Sequence, residues 1–499
     1  MRVCSYCKNS KEKYIVPYYF KFMRIIISRL DLPHITRDWN PALLIKITKM
    51  NTSLINKYNT PGPRYTSYPT VPYWETSLFS TNQFKDAVKN QFDNNGGELS
   101  LYLHLPFCES LCTYCGCTTR ITKQHSVETA YIQALLIEWD QYLSLFKKRP
   151  IIKSIHLGGG TPTFFSPENL NFLLTSLMKF SQLAQDAELS FEAHPDSTSE
   201  LHLRLLYKIG FRRVSFGIQD FNERVQKLIN RKQSIQQIKE ITALARKIGY
   251  TSINYDLIYG LPGQTICSVK STLEQTIALK PDRIAYYSYA HVPHLKPAQK
   301  SFEKQLPIDV MKNDFYKMGK ELLSSSGYLD IGMDHFAKED DELAIAFNNG
   351  QLHRNFMGYA VQHSDLLIGL GASAISDAWT AFAQNTKSIE EYIKQVSDYQ
   401  LPIFRGHLLT YEDLLLRRQI LNLICKFQTT WTAEEAEIIN SVIDENKLVE
   451  FQNDGLINIL ERSITVPPKG RQFIRNICMV FDAKLNVTRE KMPVFSKTI

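Results

Sequence analysis

Between residues 99 and 290 the chain alternates between short runs of β-branched or aromatic residues and longer stretches with helical spacing. The runs Leu99–Leu105, Ile151–Leu157, Glu188–Ala193, Arg212–Ile218, Ser252–Ile258 and Arg283–Tyr289 predict six strands. The first intervening stretch carries Val127, Tyr131, Leu135, Trp139 and Leu143 on one face, the stripe of an amphipathic helix. Further helices are expected near 167–184, 199–209, 222–248 and 268–279. Six strand–helix units in a row imply an α/β protein with a parallel sheet, either doubly wound or curled into a barrel. Leu329–Met333 and Asp365–Leu370 are candidate flanking strands.

Outside that block the pattern changes. Tyr58–Tyr73 holds five prolines or glycines, which excludes regular helix and predicts an extended arm, followed by a short helix around Asn82–Phe92. Beyond residue 405 helical periodicity dominates, most clearly over Tyr411–Phe427. The expected division is a basic N-terminal extension (1–49), an arm (50–98), the α/β body with its flanking elements (99–400) and a mostly helical C-terminal domain (401–499). No internal repeat or low-complexity tract breaks this order.

Composition adds little until charge is located. The formal charge is +8, but +7 of it sits in residues 1–49, where ten Lys or Arg stand against Glu12, Asp31 and Asp38, so residues 50–499 carry +1. A nearly neutral body predicts no nucleic-acid partner. The extension lacks the clean apolar core and cleavage site of a secretory signal, although Phe20–Leu30 could form an amphipathic helix. The working chain is expected to start at Met50. No apolar run approaches the ~20 residues of a membrane span, so a cytoplasmic protein is expected.

The cysteines carry the chemistry. Nine in 499 residues are too few for a disulfide scaffold, and four of them crowd into Cys108, Cys112, Cys115 and Cys117, directly after the first strand. Cys-x3-Cys-x2-Cys places three thiolates on one short loop, able to hold three corners of an iron–sulfur cube. Zinc is the alternative, with His125 as a further ligand, but the spacing is not that of a zinc ribbon. A fully ligated cluster through Cys117 is another, though the Cys-Gly-Cys turn makes its reach awkward. Cys4-x2-Cys7 is an isolated pair, and Cys267, Cys425 and Cys478 are expected to be buried apolar residues.

The triplet, followed by Gly158–Thr163 (Gly-Gly-Gly-Thr-Pro-Thr) after the second strand, resembles the radical S-adenosylmethionine (SAM) superfamily. That resemblance implies a partial (β/α)6 TIM-like barrel and a [4Fe–4S] cluster on Cys108, Cys112 and Cys115, with SAM on the fourth iron. SAM cleavage there yields a 5′-deoxyadenosyl radical. Tyr114 matches an aromatic near the adenine. A narrower resemblance, to the oxygen-independent coproporphyrinogen III oxidase family, rests on motifs spread over residues 55–499. These are Pro61–Pro69, Tyr102–Cys108, Cys112–Cys117, Ser215–Phe221, Asp256–Gln264, Tyr289–His291, Gly332–Ala337, His353–Phe356 and Arg475–Cys478.

The narrower resemblance implies oxidative decarboxylation of two propionates of coproporphyrinogen III to vinyls, in haem biosynthesis, with two SAM in one site. One SAM would meet Tyr102, Gly159, Glu192 and Ile375; the other would meet Gly160, Thr161, Gln219, Arg231, Asp256 and Ala290. Cys117 matches a family-specific cysteine that is not a cluster ligand and that a related branch of haem chaperones lacks. A haem chaperone and a regulatory or nucleic-acid-binding iron–sulfur protein are the competing readings. Arg64 suits a substrate with four carboxylates, or docking of the arm. The resemblance also implies a monomer, an external electron donor and an electron acceptor. His104, His291, His335 and His353 are expected to be satisfied polar residues rather than ligands.

Overall fold

The structure, a computed structural model, describes residues 54–76, 79–362, 364–487 and 495–498. The chain divides after Lys57, and residues 58–499 form one unit. The extension of residues 1–49, with Cys4, Cys7 and the segment Phe20–Leu30, lies outside the described residues.

One twelve-stranded sheet organises the unit. Its strands are β1 (Glu98–Leu105), β2 (Ile151–Gly159), β3 (Gln182–Ala193), β4 (Arg213–Gln219), β5 (Ser252–Tyr259), β6 (Arg283–Ser288), β7 (Tyr328–Gly332), β8 (His335–Lys338), β9 (Leu367–Leu370), β10 (Ile375–Asp377), β11 (Ala381–Asn385) and β12 (Ile403–Leu408). Their spatial order is β12-β11-β10-β9-β1-β2-β3-β4-β5-β6-β8-β7. The six expected strands thus lie side by side in chain order, all parallel. A doubly wound sheet reverses its strand order part-way, so the sequential order decides for the partial barrel. β9 adds a further parallel strand beside β1, with Leu101 opposite Ile368, and antiparallel strands extend both sides.

Helices α1 (Thr81–Asn94), α2 (Val127–Leu143), α3 (Pro167–Lys179), α4 (Glu200–Ile209), α5 (Glu223–Leu228), α6 (Ile235–Ile248), α7 (Ile266–Leu279) and α8 (Asp309–Ser325) precede or connect these strands. Side-chain caps fix several starts. Ser199 and His202 form a reciprocal capping box on α4, and Thr265 and Ser268 another on α7. Two expectations needed correction. The helix expected over 167–184 stops at Lys179, because β3 begins at Gln182, paired with Ile151. The stretch 222–248 is two helices, broken where Asn230 takes a left-handed φ of 52°.

Strand alternation separates core from site. One set of side chains, including Leu101, Leu103, Ile155, Leu157, Phe191, Val214 and Phe216, packs with Tyr131, Trp139, Leu174 and Leu203 of the helices in one continuous core. The alternate set is polar: Ser100, Tyr102 and His104 on β1, Ser154 and His156 on β2, Glu188, Ser190 and Glu192 on β3. Across the strands these groups bond to one another, as in Ser154 to Ser100 at 2.9 Å and His156 Nδ1 to Ser190 Oγ at 2.8 Å. Buried polar groups are tolerated there because partners satisfy them.

The arm runs extended to a 3-10 turn at Val71–Tyr73, and Trp74 stacks on Phe382 at 5.0 Å. The C-terminal part is dominated by helices, among them α9 (Tyr411–Lys426), with Thr410 and Asp413 as its capping box. A small antiparallel sheet of Gln428–Thr430, Ser463–Thr465 and Asn458–Leu460 was not anticipated. Among the described residues no helix is long and apolar enough to cross a membrane.

Candidate active site

The cysteine loop leaves the C-terminal end of β1 and returns as a two-residue parallel ladder, Phe107–Cys108 against Arg120–Ile121. Its far side is tied to the break between α5 and α6. Thr113 N–H donates to the Ile229 carbonyl at 3.1 Å, its hydroxyl to the Leu228 carbonyl at 3.3 Å, and Asn230 Nδ2 to the Leu111 carbonyl at 2.7 Å. Carbonyls left over at a helix C-terminus thereby become anchors for the loop.

The same break turns Arg231 inward. Its buried guanidinium donates to the Gly217 carbonyl, to Tyr114 OH at 3.3 Å and to Cys112 Sγ at 3.5 Å. Cys108, Cys112 and Cys115 are half-buried, and Cys108 Sγ lies 3.3 Å from the Thr161 hydroxyl. Burial pushes the Cys108 thiol up to about 11, so a metal's charge is needed to hold it as thiolate. Among the described residues no group of three His, Cys, Asp or Glu gathers around one point as a single metal ion requires. Three soft donors spread along one loop suit the separate irons of a cluster. His125 is engaged elsewhere, with Nδ1 2.6 Å from Glu128 and its ring stacked on Phe164.

The glycine turn after β2 lies against the base of this loop. Gly160 N–H donates to the Leu105 carbonyl and Thr161 N–H to the Phe107 carbonyl. A Cβ on Gly160 would stand 2.6 Å from the Pro106 backbone, so the close approach requires glycine. Gly159, at φ 107°, turns its N–H to Glu192 Oε2 at 3.3 Å. Glu192 also faces His156 Nε2 at 3.6 Å, and the His156 ring stacks with Tyr102. Tyr102 OH meets His104 Nδ1 at 3.0 Å, while burial lowers the His104 pKa. Tyr102 pairs in register with Gly369, over which the Ile375 backbone closes.

Two strands away, Asp256 accepts from Ser215 Oγ and Asn254 Nδ2, each at 2.8 Å, and burial pushes its pKa up to about 6. Gln219, in a left-handed conformation, has a buried Oε1 with no hydrogen-bond partner, an acceptor open to a ligand's donor. Gln299 Nε2 bridges the carbonyls of Ala290 and Tyr114 at 3.4 and 3.3 Å. Cys117 is exposed beside this assembly, its carbonyl accepting from Lys296 Nζ at 2.8 Å.

Of the site residues singled out from the sequence, the cysteines and Tyr114 stand on the loop after β1, and Gly159, Gly160, Thr161, Glu192, Gln219 and Ala290 at or just beyond strand ends. Tyr102 and Asp256 lie within β1 and β5, Ile375 at the start of β10, and Arg231 in the break between α5 and α6. The donor set and the orphaned Gln219 oxygen fit an iron–sulfur cluster with a polar ligand beside it. His156, Asn254 and Gln299, which hold those residues in place, were not anticipated, and Ser215 was named only as the first residue of a motif. The period-2 polar stripe on the strands was the available signal. Of the isolated cysteines, Cys425 and Cys478 are buried as expected, but Cys267 is exposed in the first turn of α7, on its solvent side.

Residues 102–276 match the radical SAM superfamily. Over 453 residues the chain is 40% identical to the oxygen-independent coproporphyrinogen III oxidase of Escherichia coli (strain K12), covering 90% of this chain and 98% of the relative. The chain belongs to the oxygen-independent coproporphyrinogen III oxidase family. The corresponding Pseudomonas aeruginosa protein is 37% identical over 91% of this chain and all of its own length. The solved structure of Escherichia coli coproporphyrinogen III oxidase, described as a radical SAM enzyme, superposes with a TM-score of 0.80 at 38% identity, covering 89% of this chain and 99% of its own. Membership implies a [4Fe–4S] cluster and SAM, and Cys108, Cys112 and Cys115 fit that requirement.

Proposed function

We propose that this chain converts coproporphyrinogen III to protoporphyrinogen IX without oxygen, turning two propionates into vinyls in haem biosynthesis. Family membership supports the activity, and the convergence of Arg231, Cys112 and Tyr114 beside the glycine turn supports the assignment of residues. When bound, the cluster and SAM supply hydrogen-atom abstraction at a propionate β-carbon, after which carbon dioxide and one electron leave and a vinyl group remains.

In this reading Cys108, Cys112 and Cys115 hold the cluster and Cys117 does not. Tyr102, Gly159, Glu192 and Ile375 receive one SAM, with Glu192 accepting from an ammonium or hydroxyl group. Gly160, Thr161, Gln219, Arg231, Asp256 and Ala290 receive a second, Arg231 pairing with a carboxylate and Asp256 accepting from hydroxyls. Tyr114 lies against an adenine, and Cys117 stands on the substrate side. The body at residues 99–400 would then act with its arm and C-terminal domain as one monomer in the cytoplasm. An outside electron donor and acceptor complete the cycle, and no nucleic acid takes part.

Equilibrium dialysis of SAM against anaerobic, cluster-reconstituted protein tests the assignment. The expected result is two SAM per chain, falling to one in Glu192→Ala and to one in Asp256→Ala. A single SAM in the unaltered protein, or two retained in both variants, would overturn it.

A further inference from the structure

Beside the site, between the arm, α8 and the C-terminal segment, lies a cleft lined by Arg64, Arg471 and Arg475, with Lys312 close enough to feel the charges of Arg64 and Arg475. Among the described residues the lining sets one carboxylate, Asp334, against these three arginines, and Lys312 adds a fourth cation nearby. Asp309, which also acts on Lys312, is already paired with Lys497. Arg475 is fully used, donating to the carbonyls of Gly62, Pro63, Lys497 and Thr498, and so pins the arm to the chain end. The other three are underused. Arg64 makes two long contacts, to Asp334 Oδ2 and to the Ser288 carbonyl, both at 3.5 Å. Arg471 lies over the Phe427 ring, and its buried Nε has no hydrogen-bond partner. Lys312 gives one bond, to the Tyr289 carbonyl at 2.8 Å, and burial pulls its ammonium down to about 8, helped by Arg64 and Arg475 and opposed by Asp309.

Partly buried cations in excess repel one another and lose hydration, a cost that an anionic ligand removes. Position adds to this. Arg64 and Lys312 touch the carbonyls of Ser288 and Tyr289, the two residues before Ala290. The cleft therefore adjoins the site where the reacting propionate must lie.

We infer that Arg64, Lys312 and Arg471 form a carboxylate-binding subsite that holds propionates of the tetrapyrrole while another propionate faces the SAM site. The inference rests on the substrate class proposed above and adds the residues that recognise it. Forked guanidinium groups suit carboxylates better than single ammonium groups do. Arg64 then acts as a substrate anchor, and Asp334 holds it ready while limiting the local positive charge.

Asp334 separates this subsite from a purely structural Arg64–Asp334 pair, because the two accounts predict opposite signs. Binding of coproporphyrin III to the full-length, cluster-loaded protein, followed by quenching of tryptophan fluorescence, is the readout. Arg64→Gln and Arg471→Gln should each weaken binding about tenfold. Arg64→Lys should recover most of that loss, and the tetramethyl ester of coproporphyrin III should bind equally weakly to all forms. Asp334→Asn, which suits the left-handed φ of 73° at that position, should tighten binding. Weaker binding in Asp334→Asn, or unchanged binding in both arginine variants, would overturn the subsite. Protoporphyrinogen formation by the unaltered protein, measured alongside, tests the substrate reading separately. Tight coproporphyrin binding without turnover would leave the subsite standing and remove the assigned reaction.

Discussion

Glu192 and Asp256 flank the same residue of the sheet and meet water in different ways. Ser215 stands opposite Glu192 in the β3–β4 register, and its hydroxyl donates to Asp256. Glu192 leaves 45% of its side-chain surface exposed and is held by one backbone N–H and the His156 ring. Asp256 is held by two side-chain donors, and burial pushes its pKa up to about 6. Carboxylates on nearby strands thus meet different surroundings: Glu192 keeps nearly half of its side-chain surface in water, while burial raises the Asp256 pKa. In the proposed reading, with two SAM in one site, this difference would give each SAM its own receptor.

The comparison can be broken by removing either group. Asp256→Ala should lower kcat/KM for SAM by about 100-fold, because it deletes a charge-assisted acceptor and strands Ser215 and Asn254 without their partner. Glu192→Gln should cost less, about tenfold, since the amide oxygen can still accept from the Gly159 N–H. Steady-state kinetics on the two variants checks the order, and a larger loss in Glu192→Gln would invert the account.

Acidity sharpens the contrast. The Asp256 carboxylate is charged above pH about 6 and neutral below it, so the KM for SAM should rise as pH falls through about 6. Asp256→Asn should remove that inflection, and Glu192→Gln should retain it. A further effect is on stability. A carboxyl raised from 3.8 to about 6 by burial contributes stability below about pH 4 that is lost as pH rises through 6. Asp256→Asn should therefore stabilise the ligand-free protein by up to about 3 kcal/mol at pH 8 and by nothing at pH 3.5. Denaturant unfolding at the two pH values measures it.

Much of this was legible in the sequence where the signal is local. The cysteine triplet and the glycine turn are short segments whose residue types leave few alternatives, and each stands at the strand end expected of it. The six strands were visible as apolar runs, although reading them as runs hid the polar alternation of Ser100, Tyr102 and His104 that lines the site. The break at Asn230 was missed because apolar residues resume at Ile235 and Ile238, although the five residues 230–234 carry none. A single left-handed residue leaves no periodic trace, yet that turn aims Arg231 and anchors Thr113. The cation cleft was legible only as Arg64, since Lys312, Arg471 and Arg475 lie hundreds of residues away and meet through the fold alone. Cys267 was assigned to the core by residue type, whereas its place in the first turn of α7 leaves it exposed.

The most direct test is anaerobic turnover of coproporphyrinogen III by reconstituted protein with SAM, a reductant and an electron acceptor, alongside Cys112→Ser. Product is followed as protoporphyrin fluorescence together with released 5′-deoxyadenosine. The account predicts two 5′-deoxyadenosine for each protoporphyrin formed, and neither product from Cys112→Ser. Protoporphyrin formed by Cys112→Ser, or SAM cleaved by the unaltered protein with no vinyl product, would contradict it.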